Sequence, residues 1–418
     1  MRKLVLILLI ACLVFGGVMG YLRAQGSQSA DPAETPVAAE PAESAAPAAE
    51  TPKPEANAAP SGDLQMEDLE YDTVDLNRLY SLYSPEKTVL TADGRAETWG
   101  DYFYFLSSQV DSVEKLLVSL YANYGAELFW SDVAEGEYTY ADLAVTGAEK
   151  SLLQLAAMEG FARENGVELT EENRQILAQQ LAEDMAAACG ADATDADFAA
   201  FLAQRHMSRE LYDRLQTADI LNEECFRQLY GEHGEALEDA AALRYLEDNG
   251  YLSASHILLL TMDPKTGEKL DEALTAEKAE TAKRLAEELQ AIEDPEERLE
   301  RFDQLKGEYC EDTGKALYPA GYTFTPHTMA AEFEAACKTM APYEVSDPVE
   351  SRYGYHIIMR LPPDADALLF SSRGNAVTAR EAAAVAAYSG QVQAYLDGMD
   401  VEAAEDFEKP DLLAYVIG

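Results

Sequence analysis

The spacing of apolar residues predicts that much of the chain is helical. Between residues 99 and 249, apolar positions recur every three to four residues, as at Ile176, Leu181 and Met185, with charged residues between them. This period is typical of amphipathic helices that bury one face. It predicts a short strand at 88–91 followed by helices at 99–106, 113–124, 139–165, 170–190, 194–204, 208–233 and 236–249.

Residues at the predicted helix ends support these bounds. Thr98 and Thr170 stand where an N-cap is expected, because a threonine hydroxyl accepts a hydrogen bond from a free N–H of the first turn. Gly166 follows the long helix, and glycine readily takes the left-handed conformation that ends helices. We expect a mostly helical domain here, without a cluster of catalytic residue types.

The pattern changes at residue 251. Apolar runs rich in Ile and Leu at 254–261 and 354–361 are typical of strands. Between them the sequence predicts helices at 275–292, 296–309 and 328–340. Strands at both ends of a helical segment indicate an α+β domain whose terminal strands pair. Each strand carries one histidine, His256 and His356, and an imidazole is costly to bury unless it is hydrogen-bonded.

The N-terminal residues 1–23 predict an export signal. Two basic residues precede an apolar run at 4–22, which nearly spans a bilayer core at about 1.5 Å rise per residue. The basic start places the N-terminus in the cytoplasm and the remainder outside. Three interpretations stay open: an uncleaved anchor, a cleaved signal peptide, and lipidation at Cys12. All three place residues 64–418 outside the cytoplasm.

Residues 24–63 predict a disordered tether. They are rich in Ala, Pro and Glu and contain no apolar pattern that could form a core. The predicted organisation therefore has five segments: 1–23 a signal anchor or signal peptide, 24–63 a linker, 64–250 a helical chaperone-like domain, 251–362 the α+β domain, and 363–418 a C-terminal helix and tail that pack on the helical domain.

The charge of the chain excludes one class of partner. It carries 77 acidic and 31 basic residues, a net charge of −46. Nucleic acids are bound mainly through Lys and Arg, so a nucleic-acid partner is not expected. The five cysteines include no C-x-x-C pair, and the sequence predicts neither a zinc ribbon nor another metal site.

Four motifs follow one another within residues 251–362. They are Ser255-His256-Ile257-Leu258, Tyr309-Cys310-Glu311-Asp312, Met329-Ala330-Ala331-Glu332-Phe333-Glu334, and Val345-Ser346-Asp347-Pro348-Val349 with the following Tyr353-Gly354-Tyr355-His356-Ile357-Ile358. In order and spacing they resemble the motifs of parvulin-type peptidyl-prolyl isomerases. The layout of the whole chain is similar to extracytoplasmic foldases of the PrsA and SurA kind, which combine an exported N-terminus, a helical chaperone region, a parvulin insert and a closing helix.

The resemblance implies three catalytic positions. His256 and His356 match the paired histidines of the parvulin core, and Asp312 matches the position where parvulins carry Cys or Asp. No cofactor is implied, because the reaction only rotates an amide bond whose barrier is roughly 18–20 kcal/mol. Two strand histidines that bond each other would orient their neighbours and tune Asp312, which would act as hydrogen-bond acceptor or electrostatic partner.

The resemblance also implies a substrate pocket. Met329 and Phe333 match the walls of the family's proline pocket, and Phe324 lies nearby. Tyr353 is a fourth substrate-binding candidate and stands where some members have a small hydroxyl residue. Met329 and Phe333 are four positions apart in a predicted helix, so we expect them to share one helix face. One departure is that the family's glycine-rich stretch before the pocket aromatic is represented by residues 315–322, which retain a single glycine.

The function that these features predict is peptidyl-prolyl cis-trans isomerisation and chaperoning of exported proteins, in which X-Pro bonds twist in an apolar pocket without a covalent intermediate. The alternative is a non-catalytic holdase chaperone with a degenerate parvulin domain, which the loss of glycines favours. Expected partners are unfolded or partly folded exported proteins with X-Pro bonds, and the membrane through the N-terminal helix. The expected location is the cell membrane, single-pass, with the folded part extracytoplasmic; secreted and lipid-anchored forms are the alternatives.

Overall fold

The computed structural model of the protein describes residues 72–124, 127–370 and 377–417. The predicted export signal, the predicted linker and the first residues of the predicted helical domain lie outside these ranges. Residue contacts divide the chain into two compact units. The first unit comprises the residues up to Cys225 together with those from Gly390 onward, and the second unit is Phe226–Ser389. Within the described ranges, no helix combines the length and the apolar character of a membrane span.

Helices that begin at polar caps build most of the first unit. Thr139, Thr170 and Thr194 each cap a helix: the hydroxyl accepts from the N–H three residues on, and the side chain there accepts from the threonine N–H. These reciprocal pairs confirm three predicted helix starts. The helices before residue 231 are α1 (Leu76–Tyr80), α2 (Trp99–Tyr124), α3 (Tyr140–Glu164), α4 (Glu171–Cys189), α5 (Asp195–Ala203) and α6 (Arg209–Tyr230).

One prediction for this region is wrong, because the helices expected at 99–106 and 113–124 form one continuous helix, α2. The serines between them do not interrupt it, since Ser107 and Ser112 turn their hydroxyls back to backbone carbonyls three and four residues earlier. Short strands also accompany the helices: β1 (Thr73–Val74), β2 (Thr88–Ala92), β3 (Arg95–Thr98), β4 (Val133–Glu135) and β5 (Tyr138–Thr139).

A buried ion cluster joins three elements of the first unit. Arg214 of α6 donates two hydrogen bonds to Glu97 of β3, at 2.6 and 2.8 Å, and further bonds to Glu159 of α3. The Glu97 side chain is fully buried. A buried charge that loses its partner is strongly destabilising, so these three side chains depend on one another.

The second unit is built around a four-stranded antiparallel sheet. Its strands, in spatial order, are β7 (Tyr322–Phe324), β6 (Leu252–Leu260), β9 (Gly354–Leu361) and β8 (Val349–Ser351). The helices after residue 231 are α7 (Asp239–Asp248), α8 (Glu272–Gln290), α9 (Pro295–Tyr309), α10 (Ala331–Thr339) and α11 (Ala379–Gly398). The predicted pairing of the two terminal strands is confirmed, because β6 and β9 are antiparallel neighbours over eight residue pairs.

Alternate residues of β6 and β9 face two separate cores. Ile257 and Ile357 pack on one face with apolar residues of α8 and α9. The other face packs with Phe333 of α10. Side chains alternate along a strand, so His256 and His356, which directly precede Ile257 and Ile357, lie on this second face.

The C-terminal residues complete sheets of the first unit. β10 (Val401–Ala403) pairs antiparallel with β2, and β11 (Val416–Ile417) pairs with β1. Leu412, only 1% exposed, belongs to the hydrophobic core of this unit. A fragment that ends near residue 250 would therefore lack two strands and a core residue.

Gly354 provides a test of the β6–β9 pairing. Its φ is +149°, and a Cβ at this position would lie 2.1 Å from the carbonyl oxygen of Leu259. We expect Gly354→Ala to destabilise the second unit by about 2 kcal/mol or more. Gly307→Ala, on an open face of α9 where nothing approaches within 4 Å, should instead stabilise it by about 0.5–1 kcal/mol.

Amide hydrogen exchange of β6 and β9 in the full chain would measure both changes. Tryptophan fluorescence would not, because the two tryptophans of the sequence, Trp99 and Trp130, belong to the first unit. Equal protection in the two glycine variants would contradict the expectation.

Candidate active site

The pairing of β6 with β9 brings together two histidines that are 100 residues apart in the chain. His256 pairs with Ile358 and His356 with Leu258, so the two imidazoles meet diagonally across neighbouring strands. Their Nδ1 atoms are 3.3 Å apart, which is within reach of a hydrogen bond. The two predicted catalytic histidines are therefore in direct contact.

A chain of polar groups runs through the two rings. His256 Nε2 lies 3.0 Å from Asp312 Oδ2, and His356 Nε2 lies 2.7 Å from Ser351 Oγ. Burial and the neighbouring His256 lower the pKa of His356 to about 3, which favours a neutral ring. An ionised Asp312 can only accept, so the His256 Nε2–H donates to it.

Asp312 accepts hydrogen bonds from three groups of the site. Oδ2 accepts from the Tyr322 hydroxyl as well as from His256, and Oδ1 accepts from the Gly314 N–H at 2.9 Å. Burial acts to raise the pKa of Asp312, but the hydrogen bonds from His256 and Tyr322 outweigh it and hold the pKa at about 2. Burial and the adjacent carboxylate raise the pKa of Tyr322. Asp312 is thus an ionised, partly buried carboxylate at neutral pH.

A buried lysine ties the loop between Asp312 and Tyr322 to the sheet. Lys306, on the last turn of α9, is 8% exposed. Its Nζ donates to Ser255 Oγ at 3.0 Å and to the Pro319 carbonyl at 2.6 Å. Burial lowers the pKa of Lys306. These bonds connect the residue that precedes His256 in β6 to the second half of the loop.

Aromatic residues cover one side of the histidine pair. The Phe333 ring meets His256 and His356 edge-on, with ring centroids 5.4 and 5.6 Å away. Phe324 of β7 is fully buried and lies 5.8 Å from Phe333. Met329 is half-buried and packs against the same cluster. The structure therefore gathers three of the four predicted substrate residues beside the polar chain.

Met329 reaches this cluster from a loop. The helix α10 begins at Ala331, so the prediction that Met329 and Phe333 share one helix face is wrong. Glu334 explains the change: its Oε1 accepts from the N–H groups of Thr328 and Met329, at 2.9 and 3.0 Å, and holds them outside the helix. Glu334 is 4% exposed, and these backbone bonds lower its pKa against the effect of burial.

Tyr353, the fourth predicted substrate residue, lies elsewhere. It packs against the core on the other face of the sheet, where Ile257 and helices α8 and α9 meet. The Arg352 guanidinium lies over its ring, 4.6 Å from the centroid. Tyr353 belongs to the turn between β8 and β9 and not to β9 itself, so its side chain does not share the orientation of His356.

Three residues of the site are not among those predicted from the sequence. Tyr322 could have been found, because it stands two positions before Phe324 in a strand and must share its face. Ser351 and Glu334 carry no comparable signal. Both act through contacts that form only when the turn before β9 and the loop before α10 have folded.

The paired histidines, the buried carboxylate and the aromatic wall on an antiparallel sheet are what the parvulin resemblance implies. Residues 256–361 match the family model described as rotamase, PPIC-type PPIASE domain. The predicted resemblance to parvulin-type peptidyl-prolyl isomerases is confirmed by this match. The second unit therefore contains a parvulin-type domain.

Relatives of the chain are foldases. It is 27% identical over 235 residues to the foldase protein PrsA of Oceanobacillus iheyensis, covering 56% of this chain and 66% of that protein. It is 35% identical over 128 residues to the foldase protein PrsA 1 of Bacillus cereus, covering 30% of this chain and 36% of that protein. The chain thus matches less than two thirds of the length of either relative.

Similar solved structures carry the same name. The crystal structure of PrsA from Bacillus subtilis covers 64% of this chain and 90% of its own, at 17% identity and a TM-score of 0.23. The foldase PrsA from Lactococcus lactis covers 76% of this chain and 95% of its own, at 13% identity and a TM-score of 0.26.

The buried His356 predicts a specific loss of stability in acid. Its pKa is about 3 in the folded protein and about 6.5 in an unfolded chain, so below pH 6.5 the unfolded state binds a proton that the folded state does not. Stability should therefore fall as the pH drops from 6.5 toward 3. For one proton the slope is at most about 1.4 kcal/mol per pH unit. Asp312, with a folded pKa of about 2, adds a loss only below about pH 4.

The variant His356→Asn removes this titration. Between pH 6.5 and 4 we expect the free energy of unfolding of the wild type to fall toward that of the variant. Urea unfolding of the full chain, followed by the NMR signals of the Ile357 and Ile358 methyl groups, measures the difference. A difference that does not change with pH would show that His356 is not held neutral.

Proposed function

We propose that this protein is a peptidyl-prolyl cis-trans isomerase and a folding chaperone for exported proteins. The observation that carries the proposal is the meeting of the Asp312–His256–His356 chain with the Phe333 wall on one face of the sheet. The match of residues 256–361 to a PPIC-type domain supports it. The roles of the individual residues are part of the proposal.

The reaction requires the site to bind the twisted amide better than the planar amide. Met329 and Phe333 hold the proline ring, with Phe324 as support behind them. In the planar amide the carbonyl oxygen carries more negative charge than in the twisted form, and the ionised Asp312 nearby disfavours that charge. His256 and His356 orient Asp312. Each 1.4 kcal/mol of preference for the twisted form accelerates the rotation about tenfold.

The remaining organisation follows the same proposal. Residues 251–362 form the parvulin-like domain, 64–250 form a SurA-like chaperone domain, and 363–418 form the C-terminal helix and tail that pack on it. Residues 1–23 export or anchor the chain, and 24–63 tether the folded part outside the cytoplasm. The clients are unfolded or partly folded exported proteins with X-Pro bonds.

Two observations favour the second candidate, a holdase chaperone with a parvulin domain that does not catalyse. Asp312 already accepts from three donors within the protein. Phe333 is 3% exposed, so a proline ring would reach it only if neighbouring side chains moved. If the donors to Asp312 and the side chains that cover Phe333 did not move when a substrate arrived, we would expect binding without turnover.

A proline-isomerisation assay on a short Ala-Pro peptide separates the two candidates. We expect the full-length wild type to accelerate the reaction, and Asp312→Ala or Met329→Ala to lower kcat/KM about tenfold or more. Asp248→Ala, at an exposed position of α7, serves as the matched control and should retain the wild-type rate. A wild-type rate equal to the uncatalysed rate would refute the isomerase function and favour the holdase function.

The chaperone role should survive loss of the isomerase. We expect full-length Asp312→Ala to suppress the aggregation of a denatured client as well as the wild type does, because the substitution leaves the first unit unchanged. Light scattering during client refolding measures this. The full chain is required, since a fragment of residues 64–250 would lack β10, β11 and Leu412. Parallel loss of both activities would contradict separate roles.

A further inference from the structure

The candidate site has an aromatic neighbour beyond the end of the parvulin match. The match ends at residue 361, but the chain returns to the free edge of the sheet a few residues later. The N–H of Phe370 donates to the Thr323 carbonyl at 2.7 Å, and Leu369 forms a parallel bridge with Thr323. Residues 369–370 therefore extend the sheet beside β7, the strand that carries Tyr322.

The Phe370 ring packs on the loop that leads into β7. Its centroid lies 5.5 Å from that of Tyr318 and 5.6 Å from that of Tyr322, with the Tyr322 ring at 75°. The two tyrosines are themselves 5.1 Å apart, and both are less than 8% exposed. These three rings form one cluster, and the Tyr322 hydroxyl leaves it to donate to Asp312.

Phe370 is itself held firmly. Its neighbour Leu369 is 6% exposed and packs with Leu246 of α7 and Ala379 of α11. The Leu369 N–H also donates to the Val377 carbonyl at 2.9 Å. The position of Phe370 is thus fixed by a small core of the second unit, and not only by the loop that it covers.

The tyrosines that replace the family's glycines explain why packing by Phe370 would matter. Where parvulins are rich in glycine, residues 315–322 of this chain carry two tyrosines and one glycine. A bulky phenol beside Asp312 is useful only if it is held in one rotamer, and packing against another ring supplies that constraint. The Tyr322 ring contacts both His256 and Phe370, and each centroid lies 5.6 Å from its own.

We propose that Phe370 is a positioning residue of the isomerase site: by packing on Tyr322 it keeps the phenol hydroxyl on Asp312. The inference rests on the proposed function for its catalytic consequence, but the contact itself does not. It implies that the functional boundary of this parvulin domain lies beyond residue 361, at Phe370 or later.

The kinetic test uses the full chain and a Pro peptide. We expect Phe370→Ala and Tyr322→Phe each to lower kcat/KM about tenfold, mainly through kcat, and the double variant to be no slower than Tyr322→Phe alone. Leu368→Ala, an exposed position of the same segment, is the matched control and should leave the rate unchanged. Independent, additive losses in the double variant would overturn the inference.

A second readout does not depend on activity. Carbon-13 at tyrosine Cζ reports the hydrogen bond of the phenol, and the Tyr322 signal is identified by its loss in Tyr322→Phe. We expect this signal to shift toward that of a solvated phenol in Phe370→Ala and to stay in place in Leu368→Ala. Phe370→Leu, which keeps the apolar volume without the ring, decides the question if Phe370→Ala does not fold.

The two readouts separate the two ways of failing. An unchanged Tyr322 signal in the Phe370 variants overturns the positioning role, whatever the rates are. If the wild type has no isomerase activity but the Tyr322 signal shifts in Phe370→Ala, the proposed enzymatic function is refuted. The contact between Phe370 and Tyr322 is then still supported.

Discussion

The register between β6 and β9 is the constraint on which the candidate site depends. Because side chains alternate along a strand, a slip of one residue in either strand would move its histidine to the face that packs on α8 and α9. The observed register places both imidazoles on the side of α10 and lets each satisfy a nitrogen of the other. Backbone pairing thus gives each of the two buried rings a hydrogen-bond partner, which offsets the cost of their burial. The same pairing places His256 next to Asp312.

The site is held by donors gathered around a single negative charge. Burial alone would favour a neutral Asp312, but a histidine, a phenol and a backbone N–H converge on it and keep it ionised. Such preorganisation avoids rearrangement of dipoles during a reaction. The same saturation limits what Asp312 can offer to a substrate, which is why the isomerase and the holdase make opposite predictions about one carboxylate.

The features that the sequence predicted correctly depend on residues close together in the chain or on motifs in a recognisable order. Thr139, Thr170 and Thr194 cap helices through residues three positions away, so their role is visible in a short window. The paired strands and the His256–His356–Asp312 grouping followed from ordered motifs. The placement of Met329 did not, because Glu334 competes for backbone N–H groups in a way that helical periodicity ignores. The role of Phe370 could not be predicted either, since a hydrogen bond to Thr323 across 47 positions leaves no periodic pattern in the sequence.

The contribution of the C-terminal residues to β1 and β2 has a consequence for biogenesis. A polypeptide leaves the ribosome N-terminus first, and domains generally fold as units once their residues have emerged. The second unit is one continuous stretch, Phe226–Ser389, whereas the first unit needs residues from both sides of that stretch. Strands β10 and β11 follow the second unit in the sequence and are therefore synthesised after it. The second unit should therefore complete its fold before the first unit does, and a premature stop codon ahead of β10 would damage the unit whose synthesis began first.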